Sequence, residues 1–199
     1  MATFLEGVGS IGVACTLAAL VPAAALVLVA RKARLTVALW YLVGATLLTW
    51  ARAGGHWQVE LSGAMVPVAA ALAAGAFVLA WWARKPASLA ATGSGVVAGA
   101  LAGWLWRPCV GRRLGDILDD VDTEAARTLG LMLVYMAGAL LPAVLLAVLP
   151  HAVPATRRLL DRLLVAAVGA TVGAAYAATL ATGRYDDIVG ELYRIATDS

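Results

Sequence analysis

Charge is scarce in this chain. Of its 199 residues 14% are Asp, Glu, Lys or Arg, whereas 62% are hydrophobic and the mean hydropathy is +0.86. That balance excludes a soluble globular domain, because continuous apolar runs near 20 residues recur and each can cross ~30 Å of hydrocarbon as a helix. Strict in-and-out alternation is missing too, which argues against a membrane β-barrel. Histidine and cysteine occur twice each. His56 and His151 fall at loop edges on opposite faces and read as interfacial residues. Two thiolates without a nearby histidine fall short of a four-ligand metal site, so no metal is expected. A phosphate loop, a soluble-cofactor motif and a nucleophile–base constellation are all missing. A hydrolytic reaction and a bound cofactor are therefore not expected.

The expected fold is all-α and integral to the membrane. Six transmembrane helices lie near residues 5–30, 35–51, 62–83, 94–111, 128–149 and 157–182, within one domain covering 1–199. The N-terminal run has no basic segment before it and reads as a retained first span. Lys and Arg set the orientation. Arg31, Lys32, Arg34, Arg84, Lys85, Arg157, Arg158 and Arg162 share one side with Asp161 alone, a net charge of +7. The opposite side carries Arg52, Arg112, Arg113, Arg127, Arg184 and Arg194 against eleven Asp and Glu, a sum of −5, and Arg107 makes up the total of +3. The positive-inside bias places the first group in the cytoplasm and both termini outside. The excess of basic residues thus reports orientation in a lipid bilayer, and no nucleic-acid partner is expected.

Sliding the chain against itself by 94 residues pairs Tyr41 with Tyr135, Gly44 with Gly138 and Ala45 with Ala139. Over 35–47 against 129–141 there are 6 identities in 13 positions, where an Ala/Leu/Gly/Val-rich background gives roughly one or two. Three spans per half make this an inverted repeat, with repeat 1 about 1–86, repeat 2 about 87–182, and an outer tail over 183–199. Inverted repeats serve proteins that move something across a bilayer, with the site at the pseudo-two-fold axis. The plainer reading is a duplication kept for packing. Gly95, Gly99 and Gly103 form a small-residue stripe suited to close helix packing, and Gly169 and Gly173 repeat the device.

The same offset pairs Cys15 with Cys109. Counting from Arg31 and from a span start at Ser94 puts the two at similar depth. Lone cysteines in membrane helices are commonly inert small hydrophobes. Here, however, they correspond across the repeat, and Pro108 removes a backbone N–H beside the second. Pro22 marks a similar break point after the first. A freed helix end stabilises a thiolate, and Arg107, Arg112 and Arg113 add positive potential where they face it. Two such thiols can cycle between dithiol and disulfide and carry two electrons.

"GVVAGALAGWLWRPCVGRRLGDIL" followed by "LGLMLVYMAGALLPAVLLAVL" resembles the second half of the CcdA-type thiol–disulfide electron transporters, whose fold is shared with the membrane domain of DsbD. That family has a Gly-rich span entering a Pro-Cys-(Val/Ile)-Gly-Pro motif, then a Tyr/Gly-containing span ending in Leu-Pro, matched here by Tyr135, Gly138 and Pro142. The resemblance covers the chain in six-span layout, and its specific motif covers residues 95–142. It implies transfer of reducing equivalents in a bacterial plasma membrane. The donor would be cytoplasmic thioredoxin, and the acceptor an extracytoplasmic thioredoxin-like protein or apocytochrome c in cytochrome c maturation. Cys15 and Cys109 would be the redox pair, and Pro108 and Gly111 the motif residues. Ala14 stands where the family has a proline before its first cysteine, and Arg112 where it has one after Gly111. Those departures leave open an accessory or scaffold subunit of a larger membrane complex that retains the fold. A small-solute or soft-metal exporter is a third reading.

Two polar stretches complete the sequence. "LGDILDDVDTEAAR" reads as a solvated acidic loop with Thr123 capping the next helix, or as a docking surface. The tail places Ile188, Leu192 and Ile195 on one face of a short amphipathic helix.

Overall fold

The computed structural model describes residues 1–12, 14–59, 62–83, 85–86, 88–106, 117, 120 and 124–197. Among these every secondary-structure element is a helix. In a hydrocarbon medium a continuous helix satisfies every backbone N–H and C=O within its own segment, and Ala/Leu-rich runs have no reason to do otherwise. The elements are α1 (Ala2–Gly9), a 3-10 turn (Ser10–Gly12), α2 (Ala14–Val29), α3 (Arg34–Ala53), α4 (Met65–Trp82) and α5 (Leu89–Leu105). They continue with α6 (Ala125–Ala139), α7 (Leu141–Ala152), α8 (Pro154–Leu160), α9 (Leu163–Ala181) and α10 (Tyr185–Thr197).

Three helices, α3, α4 and α9, are long and apolar enough to cross a membrane, and the pair α6 and α7, bent by 69° at Leu140, makes a fourth candidate. Helices α2 and α5 are apolar but shorter. α4 and α9 are apolar all round, yet only 28% and 22% of them is buried inside the protein. Val78, Trp82, Leu164 and Val168 point outward. A helix that is apolar on its exposed faces has lipid as its natural solvent.

Element boundaries differ from the sequence expectation at three places. The first apolar run is interrupted at Ser10–Gly12, where the Ser10 hydroxyl donates to the Gly7 carbonyl (2.7 Å) and the Thr16 hydroxyl donates to Ser10 (3.2 Å). Side-chain hydroxyls thereby offer the backbone a local alternative to the helix ladder. Pro22 does not interrupt its helix: α2 runs on through it. α5 begins at Leu89 rather than Ser94, because the Ser88 side chain accepts from the Ala91 amide (3.2 Å) and caps the first turn. The depth count from Ser94 therefore loses its starting point.

The core is built on glycine. α3 packs on α5 more extensively than any other helix pair among the described residues, and the two run parallel, since Gly95, Gly99 and Gly103 meet α3 near Val37, Tyr41 and Ala45 in turn. A methyl group at Gly99 would collide with the Tyr41 carbonyl oxygen, and one at Gly44 would lie 2.6 Å from the Val96 oxygen and 2.9 Å from the Ala100 nitrogen. α1 and α6 make the same interlock. A methyl at Gly7 would strike the Tyr135 oxygen, and one at Gly138 would strike the Phe4 oxygen and stand 3.0 Å from the Val8 nitrogen. Without side chains at these points the backbones approach to direct contact, the main source of helix cohesion where lipid competes equally for apolar surface.

Candidate functional site

The end of α5 is where the sequence motif begins, and it is held from three directions. A helix leaves its last four carbonyls without intrahelical partners and carries partial negative charge there. Arg52, one residue before the end of α3, answers both needs. Its Nη1 donates to the carbonyls of Gly103 (3.3 Å), Trp104 and Trp106 (2.9 Å). Trp104 Nε1 donates to the Val59 carbonyl (2.6 Å), and its ring meets Trp57 edge-on at 6.3 Å. Trp106, only 3% exposed, lies 6.4 Å from the Tyr135 ring, and its buried Nε1 has no hydrogen-bond partner among the described residues.

Trp106 belongs to one apolar cluster with Ala19, Leu20, Tyr41, Tyr135 and Ile117. The chain thus leaves α5 from inside the core, with α2, α3 and α6 around it. Across that core the fully buried Tyr41 hydroxyl donates to the Ala19 carbonyl of α2 (2.7 Å). Pro22 lacks the amide that would bond the Ala18 carbonyl, so Tyr41 bonds the backbone beside the gap that the proline leaves.

The predicted site residues fall unevenly on this frame. Cys15 is the second residue of α2, directly after the break at Ser10–Gly12, and Pro22 lies within the same helix. Arg107, Pro108, Cys109, Gly111, Arg112 and Arg113 lie outside the described residues, as does the expected cap Thr123. His56 sits 5.7 Å from the Trp50 ring after α3, and His151 Nδ1 lies 3.1 Å from the Ala147 carbonyl in α7. Among the described residues no three His, Cys, Asp or Glu side chains converge on a common point.

Two positions that organise the site were not predicted for it. In the sequence Arg52 stands out only in the charge balance, although a cation at the end of one span beside a Gly-striped neighbour is the signal of a cap on that neighbour. Tyr41 stands out there only through its pairing with Tyr135. When the chain is compared with known proteins, no family model, curated protein or solved structure matches it.

Proposed function

We propose that the chain is a membrane-embedded thiol–disulfide electron carrier, built from two inverted three-span halves, with Cys15 and Cys109 as its redox pair. The six spans are α1 with α2, then α3, α4, α5, α6 with α7, and α9. The observation that carries this reading is the glycine interlock made twice. Gly44 and Gly138 differ by 94 residues, as do Tyr41 and Tyr135; Gly99 and Gly7 differ by 92, as do Val96 and Phe4. The atom nearest each added methyl corresponds in both contacts, which supports a duplicated unit with a two-residue adjustment. Counted from the interlocked glycines, Cys15 follows Gly7 by 8 residues and Cys109 follows Gly99 by 10. Cys15 also follows the interruption at Ser10–Gly12, and Cys109 comes four residues after Leu105, where α5 ends.

In this mechanism a cytoplasmic thioredoxin attacks the Cys15–Cys109 disulfide with a thiolate. One S–S bond is exchanged for a mixed disulfide, and the second thioredoxin thiol then releases the reduced pair. Two electrons and two protons pass to Cys15 and Cys109, and thioredoxin leaves as its disulfide. An extracytoplasmic thioredoxin-like protein or apocytochrome c, entering as a disulfide, takes both electrons by the reverse exchange. In this reading Arg107, Arg112 and Arg113 supply positive charge for the Cys109 thiolate, and Pro108 and Gly111 are the motif residues beside it.

Thioredoxin with a single active-site cysteine, added to membranes holding the full chain, is expected to trap a mixed disulfide that disappears in Cys15→Ala or Cys109→Ala. No adduct, with extracytoplasmic thiol reduction unchanged in the double variant, rejects the reading. Ala14 and Arg112, which replace family prolines, favour a scaffold subunit as the second reading. Assembly of a larger complex that survives loss of both thiols is its signature.

A further inference from the structure

A cleft of about 480 Å³ opens where α2 ends and α3 begins, bounded by Pro86, by Pro150 and His151 of α7, and by Arg157 and Asp161 around α8. Its charged lining is Arg31, Lys32, Arg34 and Arg157 against Asp161, a net charge of +3 with histidine neutral. Arg34 is the unusual member. Its side chain is only 3% exposed, although it begins a helix at what the charge bias makes the cytoplasmic surface. Nη1 pairs with Asp161 Oδ1 (3.0 Å) and Nη2 donates to the Leu160 carbonyl (2.7 Å). Its Nε is buried with no partner among the described residues. Asp161 is shared, since Oδ2 lies 3.6 Å from Arg157 Nε.

The positive-inside bias explains why cations sit on this side, but it asks only that they lie near the surface. It does not draw them around one concavity or bury a guanidinium with an unused donor. Burying an arginine is unfavourable unless its charge and donors are met. One carboxylate divided between two arginines leaves that demand unfilled.

We infer that this cleft binds a phosphate group, either as the headgroup of an anionic phospholipid or as a free phosphate-bearing anion. A phosphate supplies several acceptor oxygens in the fork geometry that guanidinium groups prefer, together with the missing negative charge. The volume is within the range of small-ligand sites and too small for a protein surface. Its place at the ends of membrane helices is where headgroups lie and where basic pockets between spans take them. The inference does not depend on the thiols.

The test uses the full chain purified in an uncharged detergent and titrated with short-chain phosphatidylglycerol, phosphatidylcholine and inorganic phosphate, with bound ligand counted by native mass spectrometry. Phosphatidylglycerol is expected to be preferred over phosphatidylcholine. Arg31→Gln/Lys32→Gln, which changes two exposed residues and leaves Arg34 in place, should reduce that preference about 30-fold, roughly fivefold for each cation removed. Inorganic phosphate that displaces the lipid identifies a site for phosphate in general. Lipid binding that resists inorganic phosphate identifies a headgroup site. Equal binding of the two lipids without phosphate binding, or a preference that falls less than threefold in the variant, overturns the inference.

Discussion

Replacing Gly99 with alanine puts a methyl group against the Tyr41 carbonyl oxygen, which is backbone on a neighbouring helix and has no rotamer through which to yield. The whole of α5 must move away from α3. At the companion contact, Gly44 against Val96, a methyl begins 2.6 Å from the oxygen, about 0.8 Å inside ordinary contact at 3.4 Å. Overpacking of this kind costs about 1–3 kcal/mol, and a contact with backbone on both sides belongs at the upper end. Alanine returns up to about 1 kcal/mol through its better helix propensity, so the expected net loss is about 1–2 kcal/mol. Gly75 is the control. It sits in α4 with nothing within 4 Å of an added methyl, and Gly75→Ala should stay within about 0.5 kcal/mol of the parent. The assay is reversible unfolding in mixed micelles followed by helical circular dichroism. Gly7→Ala should match Gly99→Ala, and the pair should add, because the two interlocks share no residue. Gly99→Ala as stable as Gly75→Ala refutes the claim that bare backbone contact holds the bundle.

Three further outcomes follow from named contacts. Arg52→Gln removes a cation that bridges two terminal carbonyls of α5 and that of the following Trp106, and should destabilise the protein by about 1–3 kcal/mol in the same assay. Tyr41→Phe deletes only the hydroxyl that reaches Ala19, which should cost about 0.6–1.5 kcal/mol with helix content kept; an unchanged unfolding free energy contradicts the assigned bond. A cysteine introduced at Lys32 in a Cys15→Ala/Cys109→Ala background should resist a membrane-impermeant maleimide applied to intact cells and react once they are opened, and one at Gln58 should react from outside. The reverse pattern turns the assigned topology over.

Much of the fold was readable because hydropathy reports transfer into lipid, and transfer dominates whether a run becomes a membrane helix. α3, α4 and α9 fall where the apolar runs are, and the Gly95–Gly99–Gly103 stripe was visible as a packing face. What hydropathy does not record is where backbone hydrogen bonding changes partner. The interruption at Ser10–Gly12 contains no proline; two hydroxyls make it, while Pro22, the obvious breaker, is carried inside α2. The bend at Leu140 precedes Pro142, which is at home in the first turn of α7 and was noticed only as a motif residue. Ser88 caps α5 six residues before the span start that hydropathy places at Ser94. Arg34 and Arg52 looked alike as members of a charge count, because burial and donor geometry belong to the tertiary structure. The spacing of the two interlocks also needed the contacts: the interlocked glycines of α1 and α5 lie 92 residues apart, whereas the cysteines lie 94 apart.

The central claim is that Cys15 and Cys109 form one two-electron couple in the membrane. It is tested most directly by trapping thiols with a mass-tagged maleimide in membranes of the full chain, before and after thioredoxin with its reductant is supplied. An untagged oxidised form is expected to convert to a doubly tagged one, with Cys15→Ala and Cys109→Ala each leaving one thiol tagged under both conditions. Two thiols tagged at the outset and unaffected by any oxidant or by thioredoxin contradict it.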